Sequence, residues 1–252
     1  MLKTIVKGAD AAQPPILIAH GLFGSARNWG VIAKRMSAAR RVVAVDMRNH
    51  GDSPWHDAHD YPAMAADLAG VIAAHGGQAD VLGHSMGGKA AMMLALTRPA
   101  AVRRLVVADI APVAYAHTQQ PLIDAMRAVD LSAVATRGDA DRQLAARVPE
   151  AGVRAFLLQS LDVTRGRWRL NLDALERDMP RILGWPQVDG TFDGPALFLS
   201  GAASDYVQRA HRPGIKALFP NAKFAGIPGA GHWLHADRPR AVEAAVEAFF
   251  SS

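Results

Sequence analysis

The sequence predicts an α/β fold, with a mostly parallel central sheet flanked by helices, and three observations carry that reading. Short apolar runs rich in β-branched residues recur along the chain, separated by stretches that favour helix. Several of these runs end in turns rich in glycine, as strands do where the chain doubles back at a sheet edge. Residues 112–185 then interrupt the alternation with amphipathic stretches (LIDAMRAV, RAFLLQSL, LDALERDM) and no comparable strand run, which predicts a helical insertion over the edge where strands end.

The first run is ILIAH (16–20), whose continuous apolar character suits a central parallel strand covered on both faces. It leads into HGLFGS, where glycines 21 and 24 leave bare backbone just past the strand end. VVAVD (42–46) is the second run and opens DMRNHG, where Asp46 and Arg48 are expected to form an ion pair that fixes the loop. Residues 61–75 favour helix through their Ala, Leu and Met content. DVLGH (80–84) follows, then a helix over 87–97 that Pro99 closes. LVVAD (105–109), ALFLS (196–200) and KFAGI (223–227) supply the remaining strands.

The turn after the third run reads Gly83-His84-Ser85-Met86-Gly87, a G-x-S-x-G pattern in the strand-to-helix setting that its chemistry requires. Such a turn holds serine in strained backbone geometry, lifts its hydroxyl clear of the sheet and sets it at a helix N-terminus, where amide groups face developing negative charge. A serine hydroxyl needs a base within hydrogen-bond reach. His232, in GIPGAGHW after the last strand, is the best placed of ten histidines, and His235 is its competitor. His20 and His84 read as structural neighbours of the site, and His56, His59 and His117 as surface or capping residues. A tetrahedral oxyanion needs two backbone donors, and the sequence offers Met86 N–H after the serine and Leu22 N–H in the earlier glycine loop, with Phe23 as the alternative. Trp29, Tyr115, Trp168, Trp185 and Trp233 serve equally as pocket lining or as packing.

Half of the 252 residues are hydrophobic, enough for a sizeable core. Lys and Arg number 28 against 23 Asp and Glu, a net +5 that is scattered and forms no basic tract, so no nucleic-acid partner is expected. The absence of cysteine excludes disulfides and thiolate catalysis. No run reaches the roughly 18 apolar residues of a membrane span, and MLKTIVKGAD lacks a signal-peptide core, so a cytoplasmic location is expected. No ligand set surrounds His56 and His59, and no metal or cofactor is expected.

HGLFGS (20–25), DMRNHGDS (46–53), GHSMGGKA (83–90), DIAPV (109–113) and GAGHWLHA (229–236) together resemble the α/β-hydrolases, and more closely the small esterases of the YbfF type. The resemblance implies Ser85 as nucleophile, His232 as base and an acid between them in the chain. It also implies a core of residues 1–111 and 186–252, with a helical cap, 112–185, inserted after the sixth strand. The acid departs from the commoner pattern, because the position three residues after Gly201 holds Ser204, and Asp205 comes one residue late. The resembling esterases carry their acid in the D-I-A-P turn, which points to Asp109, with Ser204 as an auxiliary partner and Asp205 as the alternative acid. The implied activity is hydrolysis of short- to medium-chain acyl esters by a monomer or homodimer. Acyl-CoA thioesters extend that range if Arg127, Arg154, Arg165 and Arg167 in the cap serve to bind them. Competing readings are C–C bond hydrolysis, perhydrolase or haloperoxidase chemistry, and a ligand-binding receptor with slow turnover.

Overall fold

The computed structural model describes all 252 residues. Its central sheet has seven strands in the order β1-β3-β2-β4-β5-β8-β9. Strands β2 (Ile16–Ala19), β3 (Val42–Val45), β4 (Ala79–His84), β5 (Val102–Ala108), β8 (Ala196–Gly201) and β9 (Ala222–Ile227) run parallel, and β1 (Thr4–Lys7) lies antiparallel on β3. Every residue of β2, β3 and β4 is buried, as their unbroken apolar runs require. The sequence reading missed β1, because an edge strand that is only half covered needs no apolar run and TIVK carries little signal.

Alternate residues of each strand feed two cores. Leu17, Val43, Val81, Leu105 and Val107 pack with α2 (Tyr61–Ala74), α3 (Met86–Thr97) and the inserted segment. Ile16, Ile18, Val42, Leu82 and Val106 pack on the opposite face with α1 (Gly30–Met36) and α11 (Pro239–Ser251). Helix α2 starts where Asp60 accepts a hydrogen bond from Ala63 N–H at 2.9 Å and Pro62 occupies its first turn. Helix α9 (Arg212–Leu218) joins β8 to β9, and α10 (Leu234–Asp237) precedes α11.

The inserted segment contains α4 (Gln120–Arg127), α5 (Arg137–Ala145), α6 (Ala151–Leu157), α7 (Leu172–Arg177) and α8 (Met179–Leu183). Two-residue strands β6 (Leu161–Asp162) and β7 (Arg167–Trp168) form a small hairpin among them, too short to register as apolar runs. Their Trp168 is packing rather than pocket lining, buried with its indole N–H donating to Met126 O at 2.9 Å. The segment follows the fifth strand of this chain, not the sixth, because a single antiparallel strand precedes the parallel run. It covers the edge at which β2, β4, β5, β8 and β9 all reach their carboxyl ends, and that shared edge is where loops from distant parts of the chain converge.

Candidate active site

Ser85 lies between β4 and α3 and adopts φ 51° and ψ −121°, a conformation that L side chains rarely take. The turn is tight enough that a Cβ at position 83 would fall 2.3 Å from Gly87 O, and one at 87 would fall 2.4 Å from Ala19 O. Only glycine at both positions lets α3 start directly against the end of β2. Ser85 N–H donates to Ala108 O at 3.0 Å, which ties the turn to β5.

His232 reaches Ser85 from the loop between β9 and α10, its Nε2 at 3.1 Å from Ser85 Oγ. Its Nδ1–H donates to Asp109 Oδ2 at 2.7 Å. Asp109 is fully buried at the end of β5 and, like Ser85, has a positive φ of 51°. Gly201 N–H donates to its Oδ1 at 3.0 Å and Ser204 Oγ–H to its Oδ2 at 2.5 Å. Both donors come from the loop where the commoner acid position falls, so that loop contributes hydrogen bonds to the carboxylate instead of a carboxylate. Asp205 is exposed and does not bond to His232. Tyr206, which the sequence reading did not single out, stacks on the His232 ring with centroids 3.9 Å apart and donates its own amide to Ser204 Oγ at 3.3 Å.

The glycine loop after β2 passes over the serine, since a Cβ at position 21 would lie 3.1 Å from Ser85 Cβ. Phe23 has φ 63°, and its amide is engaged by His50 Nε2 at 3.1 Å. Leu22 N–H, like Gly21 N–H, has no acceptor within the fold, and Met86 N–H has no intrahelical acceptor because it opens α3. Ser160, from the inserted segment, donates to Phe23 O at 3.0 Å and holds the other side of the same residue.

Five other histidines, His20, His50, His59, His84 and His235, are held neutral by burial. His20 accepts from Met47 N–H and donates to Gly21 O, while His50 donates to Arg48 O. His59 is fully buried, contrary to the surface role expected of it, and its ring contacts Asn49 Nδ2 and the Met86 sulfur while His56 is exposed. His84 donates to His232 O at 2.9 Å. His235 lies within α10, stacked on Trp29 with centroids 4.4 Å apart, and does not approach Ser85 as the competing base would. Burial lowers His20 and His235 to about 4, His50 to about 3 and His59 to about 2, and takes His84 well below its ordinary value. Asp46 and Arg48 do not pair. Asp46 instead accepts from the amides of Ala26 and Asp52, and Arg48 pairs with Asp67 at 2.6 Å.

Ser85 opens into a cavity of about 830 Å³, its open mouth included. Leu122, Phe156, Ile182 and Leu183 form its roof, and Met86, Ile110 and Tyr115 line it from below. Trp29 and Trp233 also reach it, whereas Trp168 and Trp185 do not. The four cap arginines stay outside. Arg127 pairs with Asp173 and Glu176, Arg154 with Asp141, and Arg165 and Arg167 are exposed.

A serine on a strand-to-helix turn, an imidazole at its hydroxyl and a carboxylate behind the imidazole, all at one edge of a parallel sheet, agree with what a comparison of the whole chain finds. The family model described as "Alpha/beta hydrolase family" matches residues 16–245. The chain belongs to the alpha/beta hydrolase family. Among its relatives, a mouse protein named sn-1-specific diacylglycerol lipase ABHD11 is 46% identical, over 96% of this chain and 82% of that protein. Esterase YbfF of Escherichia coli K12 is 41% identical, over 94% of this chain and 93% of its own length. A solved structure described as a marine microorganism esterase superposes with a TM-score of 0.92 at 36% identity, covering 99% of this alpha/beta hydrolase and all of that chain. These relatives carry names of enzymes that hydrolyse carboxylic esters, in agreement with the carboxylic ester hydrolase that the motifs imply. No helix is long and apolar enough to cross a membrane.

Proposed function

We propose that this chain is a serine carboxylesterase that cleaves short- to medium-chain acyl esters through an acyl-enzyme. The observation that carries the reading is the unbroken hydrogen-bonded line from Ser85 Oγ through His232 to Asp109, with links of 3.1 and 2.7 Å. His232 Nε2 takes the Ser85 proton as Oγ attacks the ester carbonyl, and Asp109 orients the ring and balances the imidazolium charge. The amides of Leu22 and Met86 donate to the oxyanion. His232 then returns the proton to the departing alkoxide, which leaves as the alcohol. Water, deprotonated by the same nitrogen, attacks the acyl-enzyme and releases the acid with Ser85 restored.

The apolar roof favours an apolar acyl chain over a polar acyl group. The relatives named diacylglycerol lipases bring glycerides into the same ester class, so a diacylglycerol belongs beside simple esters in any substrate panel. Thioester recognition through the cap arginines gains no support, since their charges are paired or lie away from the cavity. The test is turnover of p-nitrophenyl esters of increasing chain length together with labelling by a fluorophosphonate. Wild type is expected to do both and Ser85→Ala neither, with turnover down by on the order of 10⁴-fold or more. Unlabelled wild type with negligible turnover across the panel would favour the slow receptor instead.

A further inference from the structure

Lys89 is a buried ammonium for which the proposed chemistry has no use. It stands one helical turn after Ser85 on α3, its amide donating to Ser85 O at 3.0 Å, and it is 1% exposed. A buried ammonium ordinarily requires a carboxylate beside it, because leaving water unpaired is costly. Lys89 is instead satisfied by three main-chain carbonyls, with Nζ at 2.8 Å from Val113 O, 2.9 Å from Leu183 O and 2.6 Å from Gly184 O. The rings of Tyr115 and Tyr61 lie 4.9 and 5.6 Å from the same nitrogen.

The three carbonyls belong to two stretches far apart in sequence. Val113 lies where the chain leaves the core for the inserted segment, and Leu183 and Gly184 where it returns. The stretches also touch each other, Tyr115 N–H donating to Leu183 O at 3.0 Å, and Tyr61 Oη–H on α2 donates to Ile182 O at 2.5 Å. Ile182 and Leu183 are also part of the cavity roof. One side chain on the helix that carries the nucleophile therefore grips both ends of the segment that shapes the acyl site.

We propose that Lys89 fastens both hinges of the cap to the nucleophile helix and so sets the distance of the acyl roof from Ser85, acting as a positioning residue for chain-length selectivity. The proposal rests on the esterase reading. An ammonium has three N–H donors for three carbonyls, whereas a neutral amine has two and must release one of the three ties, which weakens the grip on the hinges. Burial lowers Lys89 to about 7, which brings that loss of a donor into the neutral range. The titratable groups that face it are the phenols of Tyr61 on α2 and Tyr115 at the first hinge, both raised by burial above the ordinary range and so neutral there. The second hinge presents backbone carbonyls to it.

The test compares kcat/KM for p-nitrophenyl hexanoate and acetate in wild type, Lys89→Met and Lys89→Arg, with chymotrypsin cleavage at Tyr115 and Leu183 as a second readout. Titration of groups common to both reactions cancels in the ratio. In wild type the hexanoate-to-acetate ratio is expected to fall as pH rises through about 7, and in Lys89→Met to be low and flat with pH, down about tenfold chiefly through the hexanoate KM. Lys89→Arg, charged at every pH of the assay, is expected to remove the pH dependence, and hinge cleavage is expected to be faster in Lys89→Met. A wild-type ratio independent of pH, or wild-type hinge cleavage in Lys89→Met, would overturn the clamp. The wild-type profile and the cleavage rates need no active variant. Failure of wild type to label with fluorophosphonate would count against the esterase reading alone, with the clamp still judged by hinge cleavage.

Discussion

Ser85, Phe23, Asp109 and Asn49, the four residues other than glycine with positive φ, all lie in loops on the sheet side of the cavity, whereas in residues 112–185 only Gly166 has one. Each such conformation costs about 1–3 kcal/mol and persists only where its surroundings over-determine it. The sheet side supplies that constraint. Ser85 and Asp109 are bonded to the ends of adjacent strands, and Phe23 is held through its amide by His50. The cap side works with ordinary backbone, apolar contacts and a few polar ties to the core. On the proposed mechanism, the difference teaches that reacting atoms need fixed geometry, which strand ends provide, while a binding roof needs only apolar surface. Ser160 marks the seam, because a cap residue completes the hold on Phe23.

The largest effect that tests this contrast is expected at Asp109. Asp109→Asn should lower kcat by on the order of 10³–10⁴-fold, while Asp205→Asn, on an exposed side chain, should stay within about threefold. The reverse result in steady-state turnover would move the acid to the β8 loop. His50→Leu comes next. It releases the Phe23 amide, so an oxyanion donor beside it is misplaced, and kcat should fall by about tenfold with little change in KM. An effect confined to KM would mean that the loop only binds substrate.

Acid should loosen the sheet side first. His20, His50, His59, His84 and His235 are held neutral in the fold but take up protons near 6.5 once unfolded. Their contribution is fully present above 6.5 and is lost as pH falls from there through about 4, where the unfolded chain binds more protons than the folded one. Melting temperature measured from pH 6.5 to 4.5 should therefore decline as pH falls, and a flat profile over that range would contradict the neutral histidines. The smallest effect is expected on the cap surface. Arg165→Glu and Arg167→Glu should leave the ratio of acyl-CoA to simple-ester hydrolysis within about twofold, since neither side chain lines the cavity, and a larger drop would restore the thioester reading.

The sequence by itself determined the parallel strands, the strained serine turn and the glycine loop that faces it. Each is a local pattern: continuous apolar residues make a doubly covered strand, and glycine at 83 and 87 is needed by a turn only a few residues long. It also narrowed the base to two histidines and the acid to two aspartates. The choice proposed within those pairs rests on tertiary contacts. The adjacency of β5 and β8 brings Gly201 N–H and Ser204 Oγ onto Asp109, and the stacking of His235 on Trp29 turns it away from Ser85. The absent Asp46–Arg48 pair, the burial of His59 and the grip of Lys89 on both hinges were invisible for the same reason. A buried polar group takes whichever partners the packing of distant segments presents, and no spacing along the chain encodes that distance.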